Sequence, residues 1–223
     1  MDICGNVIIF KENGGMIDKE KISKYLKENL SEKRYRHSLG VADEAVKLAE
    51  RYHSDKEKAY ISGLVHDCAK EIPADEAREL LTEKYGIMLD SVTKNTPKLL
   101  HGPLGACMAQ NDFGICDAEI LDAIKFHTTA KADMSILTKI LYIADYIEPN
   151  RDFKGVDELR ELAYKNIDEA IVTGLDYTVQ ELVTDGFMLH PDTVHARNFL
   201  ILQKRKTADF PKTMLHRFIK ISL

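Results

Sequence analysis

"DKEKAYISGLVHDCAKEIP", residues 55–73, is the stretch on which the fold turns. Asp55 is an N-cap candidate, because its carboxylate can accept from the orphan N–H groups of a first helical turn. Ile61, Leu64, Val65 and Cys68 then recur at helical spacing and predict a helix that runs through Cys68. That helix would carry His66-Asp67 near its C-terminal end, and Pro73 is expected as the first residue of the next one. The dipeptide alone means little: with 8 His and 19 Asp in 223 residues, chance supplies roughly 0.7 His-Asp pairs. Its meaning depends on what else in the chain reaches the same point.

Outward from this stretch the pattern is helix after helix. Ile17, Ile22, Tyr25, Leu26 and Leu30 mark one apolar stripe. Ser31 is a plausible N-cap for a second, through Leu39, Ala42, Ala45, Val46, Ala49 and Tyr52. Downstream, Gly86 should stop the helix that ends in "EKYG", and residues 87–97 read as a connection or a short helix. Further helices are expected at 103–110, 117–128, 135–148, 157–165, 168–184 and 191–204. The fold class is all-α, with no repeat and no low-complexity linker, and residues 17–205 read as one helical domain. Residues 1–16 break the pattern: "NVIIF" is strand-like but has no second run to pair with. They form either a loose arm or a segment ahead of a start at Met16. Residues 206–223 are a basic tail with Leu215, Phe218 and Ile219 at near-helical spacing, read as packed on the surface or disordered, the alternative being a membrane or partner contact.

A net charge of −5 and no Lys/Arg block before the last twenty residues argue against a nucleic-acid partner. An anionic substrate would therefore need a local positive site, either a metal ion or a few placed Arg and Lys. Cys4, Cys68, Cys107 and Cys116 show no CxxC spacing and read as reduced, mostly buried thiols. No run approaches 18 apolar residues and the N-terminus lacks a signal-peptide pattern, so a soluble, cytoplasmic protein with no membrane contact is expected.

Four of the eight histidines stand at or near the end of apolar helical runs: His37, His66, His101 and His127. For any one of them, a core-edge histidine bonded to backbone is the better reading. His53, His190, His195 and His216 have polar or terminal surroundings and read as surface or capping residues. The acids sharpen the case. Asp145, in "ILYIADYIEP", and Asp67 both stand where a carboxylate is costly unless something compensates its burial. Convergence on a cation explains the whole set together. A His/carboxylate mix suits iron, manganese or zinc rather than magnesium or calcium. The absence of a thiolate argues against a structural zinc site and for a catalytic one.

The order His37, His66-Asp67, Asp145 resembles the HD-domain metal phosphohydrolases, an all-helical superfamily. More narrowly, "RYRHSLGVA", "GLVHDCAKE", "LLHGPLGA", "FHTTA", "YIADYIEPNRDFKGV" and "LHPDTVHARN" together resemble the YqeK family, over about residues 17–204. The resemblance implies symmetrical hydrolysis of diadenosine tetraphosphate to two ADP, with iron at the site. It makes His37, His66, Asp67 and Asp145 the metal ligands. Asp67 becomes the best bridge to a second ion held by His101 and His127; with one ion, those two would contact phosphate and one could protonate the leaving ADP. Arg34 shares a helix face with His37, and Lys70 stands in the same relation to Asp67, so both are candidates to hold phosphate. Arg151 is a third, with Thr128 and Asn150 as weaker candidates. No Walker-type glycine loop is present, so metal and side chains must hold the phosphates. The readings left open are another nucleotide substrate (a dNTP, a nucleoside monophosphate or a guanosine signalling nucleotide), a non-catalytic nucleotide sensor, and a homodimer.

Overall fold

A computed structural model of the chain describes residues 18–207. The arm with "NVIIF" and nearly all of the basic tail lie outside the described residues. Among the described residues there are eleven α-helices and no strand. They are α1 (Lys19–Asn29), α2 (Glu32–Arg51), α3 (Lys56–Val65), α4 (Ala74–Glu79), α5 (Ser91–Asn95), α6 (His101–Asn111), α7 (Ala118–Phe126), α8 (Ile136–Ile147), α9 (Val156–Lys165), α10 (Ile167–Thr184) and α11 (Pro191–Thr207). None is long and apolar enough to cross a membrane.

Local chemistry sets the boundaries. Asp55 caps α3 by accepting from the Glu57 and Lys58 N–H groups, and Asn166 both ends α9 and caps α10. Ser31 precedes α2 without capping it: its hydroxyl donates instead to Glu71 Oε1 at 2.7 Å. Gly86, at φ 65°, ends the helical run that follows α4, whose last turn (Leu80–Lys84) is a π-helix.

Several expected boundaries need correction. α3 stops at Val65, not at Cys68, and residues 66–72 continue as a chain of turns. The Gly63 carbonyl, which a continuing helix would give to the Asp67 N–H, takes the His66 Nδ1 donor at 2.6 Å instead. Pro73 stands just ahead of α4, not as its first residue. Residues 87–97 contain α5, and a 3-10 turn over Pro97–Leu99 leads directly into α6, which starts at His101. Of the three described cysteines only Cys68 is buried; Cys107 is half-buried on α6 and Cys116 is exposed in the loop after it.

The core is built around α8, which packs against α2, α3, α7, α9 and α10. Eight of its twelve residues are buried, including Ile140, Leu141, Tyr142 and Ile143, as expected of a helix apolar on nearly every side. Burial of each large aliphatic side chain contributes about 1.5–3 kcal/mol. α2 crosses α3 backbone to backbone: a Cβ on Gly63 would lie 2.6 Å from Ala42 Cα. That approach brings His37 on α2 and His66 at the end of α3 to 5.3 Å between ring centroids.

Candidate metal centre

Each histidine of the set enters from within two turns of a helix end. His37 is in the second turn of α2, His66 follows α3, His101 opens α6 and His127 follows α7. α6 and α7 meet at Gly102, where a Cβ would lie 2.8 Å from the Lys125 carbonyl oxygen. This contact sets His101 Nε2 at 2.9 Å from His127 Nε2. Asp145 projects from the core helix α8, and its Oδ1 lies 3.0 Å from His37 Nε2.

Asp67 is the hub. Its Oδ2 faces His37 Nε2 (3.8 Å), His66 Nε2 (3.7 Å) and Arg34 Nη1 (3.5 Å). Its Oδ1 faces His101 Nε2 (3.1 Å), His127 Nε2 (3.5 Å) and Lys70 Nζ (3.6 Å). One carboxylate thus divides the four imidazoles into two pairs. Two overlapping groups have ligand atoms within 4.8 Å of one another: His37, His66 and Asp145, and His66, Asp67 and His127.

The outer nitrogens fix the rings. His66 Nδ1 donates to the Gly63 carbonyl at 2.6 Å and His127 Nδ1 to the Ile124 carbonyl at 2.7 Å. His37 Nδ1 donates to Glu148 Oε1 at 3.0 Å. With Nδ1 carrying the proton, each of these rings turns a lone pair on Nε2 inward. His37 Nε2, His66 Nε2 and Asp67 Oδ1 are buried without a hydrogen-bond partner, although other site atoms lie within 4 Å. Buried polar atoms left this way are rare in folded proteins, and a shared cation would satisfy all three.

The electrostatics agree. Burial pushes His66 and His101 down to about 4, which keeps them neutral and able to ligate at pH 7. Burial opposes ionisation of Asp67 and Asp145, but neighbouring imidazoles outweigh it and hold both carboxyls below the usual range; for Asp145 the close approach of His37 counts most. His37 is raised: burial works against its charged form, and the Asp145 contact overcomes it. Burial lowers Lys70, with the Asp67 charge acting the other way. The donor set and its protonation fit a transition-metal ion.

The expected phosphate residues fall in three situations. Arg34 and Lys70 stand at the rim of the cluster with side chains 37% and 27% exposed, and Lys70 Nζ is also 3.0 Å from His101 Nε2. The turn of residues 66–72 keeps Lys70 beside Asp67, with its backbone N–H on the Asp67 carbonyl, although the helix has already ended. Arg151 is turned onto Asp145, bonding its backbone carbonyl through Nε at 2.7 Å and its carboxylate through Nη2. Asn150 reaches the centre only through Glu148, whose Oε2 accepts from both its backbone and side-chain nitrogens. Thr128 is half-buried and lines a cavity beside His127. The sequence reading overlooked Glu148. A carboxylate closing the apolar run of α8, three residues after Asp145, was the available signal.

Comparison with known proteins gives the family of the chain. The HD domain family model matches residues 34–150. The symmetrical bis(5'-nucleosyl)-tetraphosphatase of Bacillus subtilis (strain 168) is 37% identical over 83% of this chain and 98% of its own length. The protein of the same name from Staphylococcus aureus (strain NCTC 8325 / PS 47) is 37% identical over 81% of this chain and 93% of its own. A crystal structure from Clostridium acetobutylicum, described as that of a predicted HD superfamily hydrolase involved in NAD metabolism, superposes with a TM-score of 0.82 at 49% identity. It covers 85% of this chain and 100% of that one. HD-domain hydrolases are metal-dependent, and this chain has the His/Asp groups to bind a metal. Matched over half of its length by a family model and over four fifths by relatives of this identity, the chain belongs to the HD-domain family and, within it, to the YqeK family of proteins named symmetrical bis(5'-nucleosyl)-tetraphosphatases.

Proposed function

We propose that this chain hydrolyses diadenosine tetraphosphate symmetrically to two ADP, with His37, His66, Asp67 and Asp145 holding a transition-metal ion. The observation that carries this reading is the meeting of four imidazoles with the carboxylates of Asp67 and Asp145, in which His37 Nε2, His66 Nε2 and Asp67 Oδ1 lack any hydrogen-bond partner. The names of the relatives supply the substrate. Iron is the ion we favour, with manganese and zinc compatible with the same donors. The division of the histidines by the two Asp67 oxygens supports a second ion, held with His101 and His127. With one ion only, those two rings contact phosphate. When bound, the metal polarises a phosphoryl oxygen and lowers the pKa of its water.

The protein's own groups do the rest. The water oxygen bonds to one of the two inner phosphorus atoms, the bridging P–O bond breaks, and the departing ADP keeps the bridging oxygen and takes up a proton. Lys70 is the proton source on this side of the cluster, because burial keeps His101 neutral and the His127 ring turns a lone pair inward. Arg34 and Lys70, and Arg151 once released from Asp145, supply positive charge where negative charge grows on the phosphates. The same reading takes residues 17–205 as one HD domain working in the cytoplasm.

The test is product analysis. Iron-reconstituted protein, kept anaerobic, should convert diadenosine tetraphosphate to ADP alone. It should prefer that substrate to dNTPs, nucleoside monophosphates and guanosine signalling nucleotides. Release of ATP with AMP, or faster turnover of another nucleotide, would replace this reading.

A further inference from the structure

Residues 97–103 form a wall between two cavities of similar size, and the charges on its two sides differ. One cavity, of about 230 Å³, is bounded by Lys70, Lys98 and His101 and has no acidic residue in its lining. The other, of about 240 Å³, is lined in part by Thr128, next in the chain to His127. It has an apolar floor that includes Leu89 and Leu99 and a polar end formed by Asp90, Asp192 and His190. We infer that this second cavity receives a nucleoside of the substrate; the inference rests on the function proposed above.

Phosphate belongs on the lysine side, since two carboxylates repel it from the other. A nucleoside carries no charge but offers hydrogen-bond donors, the ribose hydroxyls and the adenine amine, which the Asp192 carboxylate can accept; that of Asp90 already caps α5 and takes the Thr93 hydroxyl. Lys125 and Phe126 also line this cavity, with the Lys125 ammonium over the Phe126 ring, 5.1 Å from its centroid, so the two carboxylates outnumber the one lysine there. The polar end is already built. His190 Nδ1 accepts from the Asp192 N–H at 3.1 Å, and its Nε2 is 3.3 Å from Asp90 Oδ2. The Thr193 hydroxyl donates to the Thr129 carbonyl at 3.0 Å and ties α11 to the end of α7. Such a preformed pocket, mostly apolar with a few fixed polar groups, is the usual form of a small-molecule site. At its edge Met88 is 97% exposed. A flexible thioether standing in water beside an apolar floor can fold over a base once one is present.

Full-length chain labelled at the methionine methyls with carbon-13, and loaded with zinc as a diamagnetic ion, should be titrated with ADP. We expect the Met88 resonance, assigned with Met88→Ala, to move saturably under the ring current of the bound base. Met88→Ala and Asp192→Asn should each raise KM for diadenosine tetraphosphate about twofold to tenfold, with kcat and metal content unchanged. A Met88 signal that stays still while ADP binds, or unaltered KM in both variants, overturns the subsite. The titration does not depend on turnover: an inactive protein whose Met88 still responds would refute the proposed reaction and leave the subsite standing.

Discussion

His37 Nδ1 stands 3.0 Å from Glu148 Oε1, and Glu148 is only 1% exposed. The other oxygen of this carboxylate accepts two N–H groups of Asn150, at 2.7 and 2.8 Å. Donors therefore approach both oxygens, which a carboxylate satisfies and an amide cannot. In Glu148→Gln the amide NH2 must face either His37 Nδ1–H or the Asn150 donors. We expect metal affinity, measured by chelator competition, to fall about tenfold to a hundredfold while the helical circular dichroism is kept. Unchanged affinity would show that His37 needs no such support.

Asp67→Ala removes the group that both histidine pairs face. The variant should lose bound metal and more than about a hundredfold in rate, because metal activation supplies several kcal/mol of barrier reduction. Its helical spectrum should remain, since the core around α8 is untouched. Near-normal turnover in metal-analysed Asp67→Ala would remove the metal assignment.

Lys70→Ala separates phosphate binding from metal binding. The ammonium is 3.6 Å from Asp67 Oδ1 and 3.0 Å from His101 Nε2, at the edge of the cluster. If it holds phosphate, kcat/KM should fall about tenfold to a thousandfold with metal content at the wild-type level. Wild-type kinetics in a fully loaded variant would assign Lys70 a purely local role.

Much of this was legible in the sequence, for identifiable reasons. Helical periodicity located α2, α7, α9 and α10 because their apolar faces bury against α8. The four histidines and two aspartates stood out because a polar group ending or interrupting an apolar run demands a partner. Glu148 did not, because its role depends on α2 passing beside the end of α8, a contact between residues 111 positions apart. The early end of α3 was hidden for a similar reason. It depends on the His66 ring bonding the carbonyl of Gly63, a choice that helical spacing does not encode. The cavity behind Thr128 is tertiary as well, since residues 87–103, the end of α7 and the approach to α11 all contribute to it.

Gly63 links the fold to the centre most directly. A Cβ there would lie 2.6 Å from Ala42 Cα and 2.8 Å from Ala42 N. These are backbone atoms of a helix and cannot rotate away, so Gly63→Ala must push α2 and α3 apart. Overpacking of this kind costs about 1–3 kcal/mol, somewhat offset by the better helix propensity of alanine. The same movement displaces His66, whose Nδ1 is bonded to the carbonyl of residue 63, and alters its distance from His37 across the interface. Gly63→Ala should therefore unfold at lower denaturant and also bind metal more weakly, although it removes no ligand. A stability loss with unchanged metal affinity would mean that the His66 turn adjusts independently of the α2–α3 crossing.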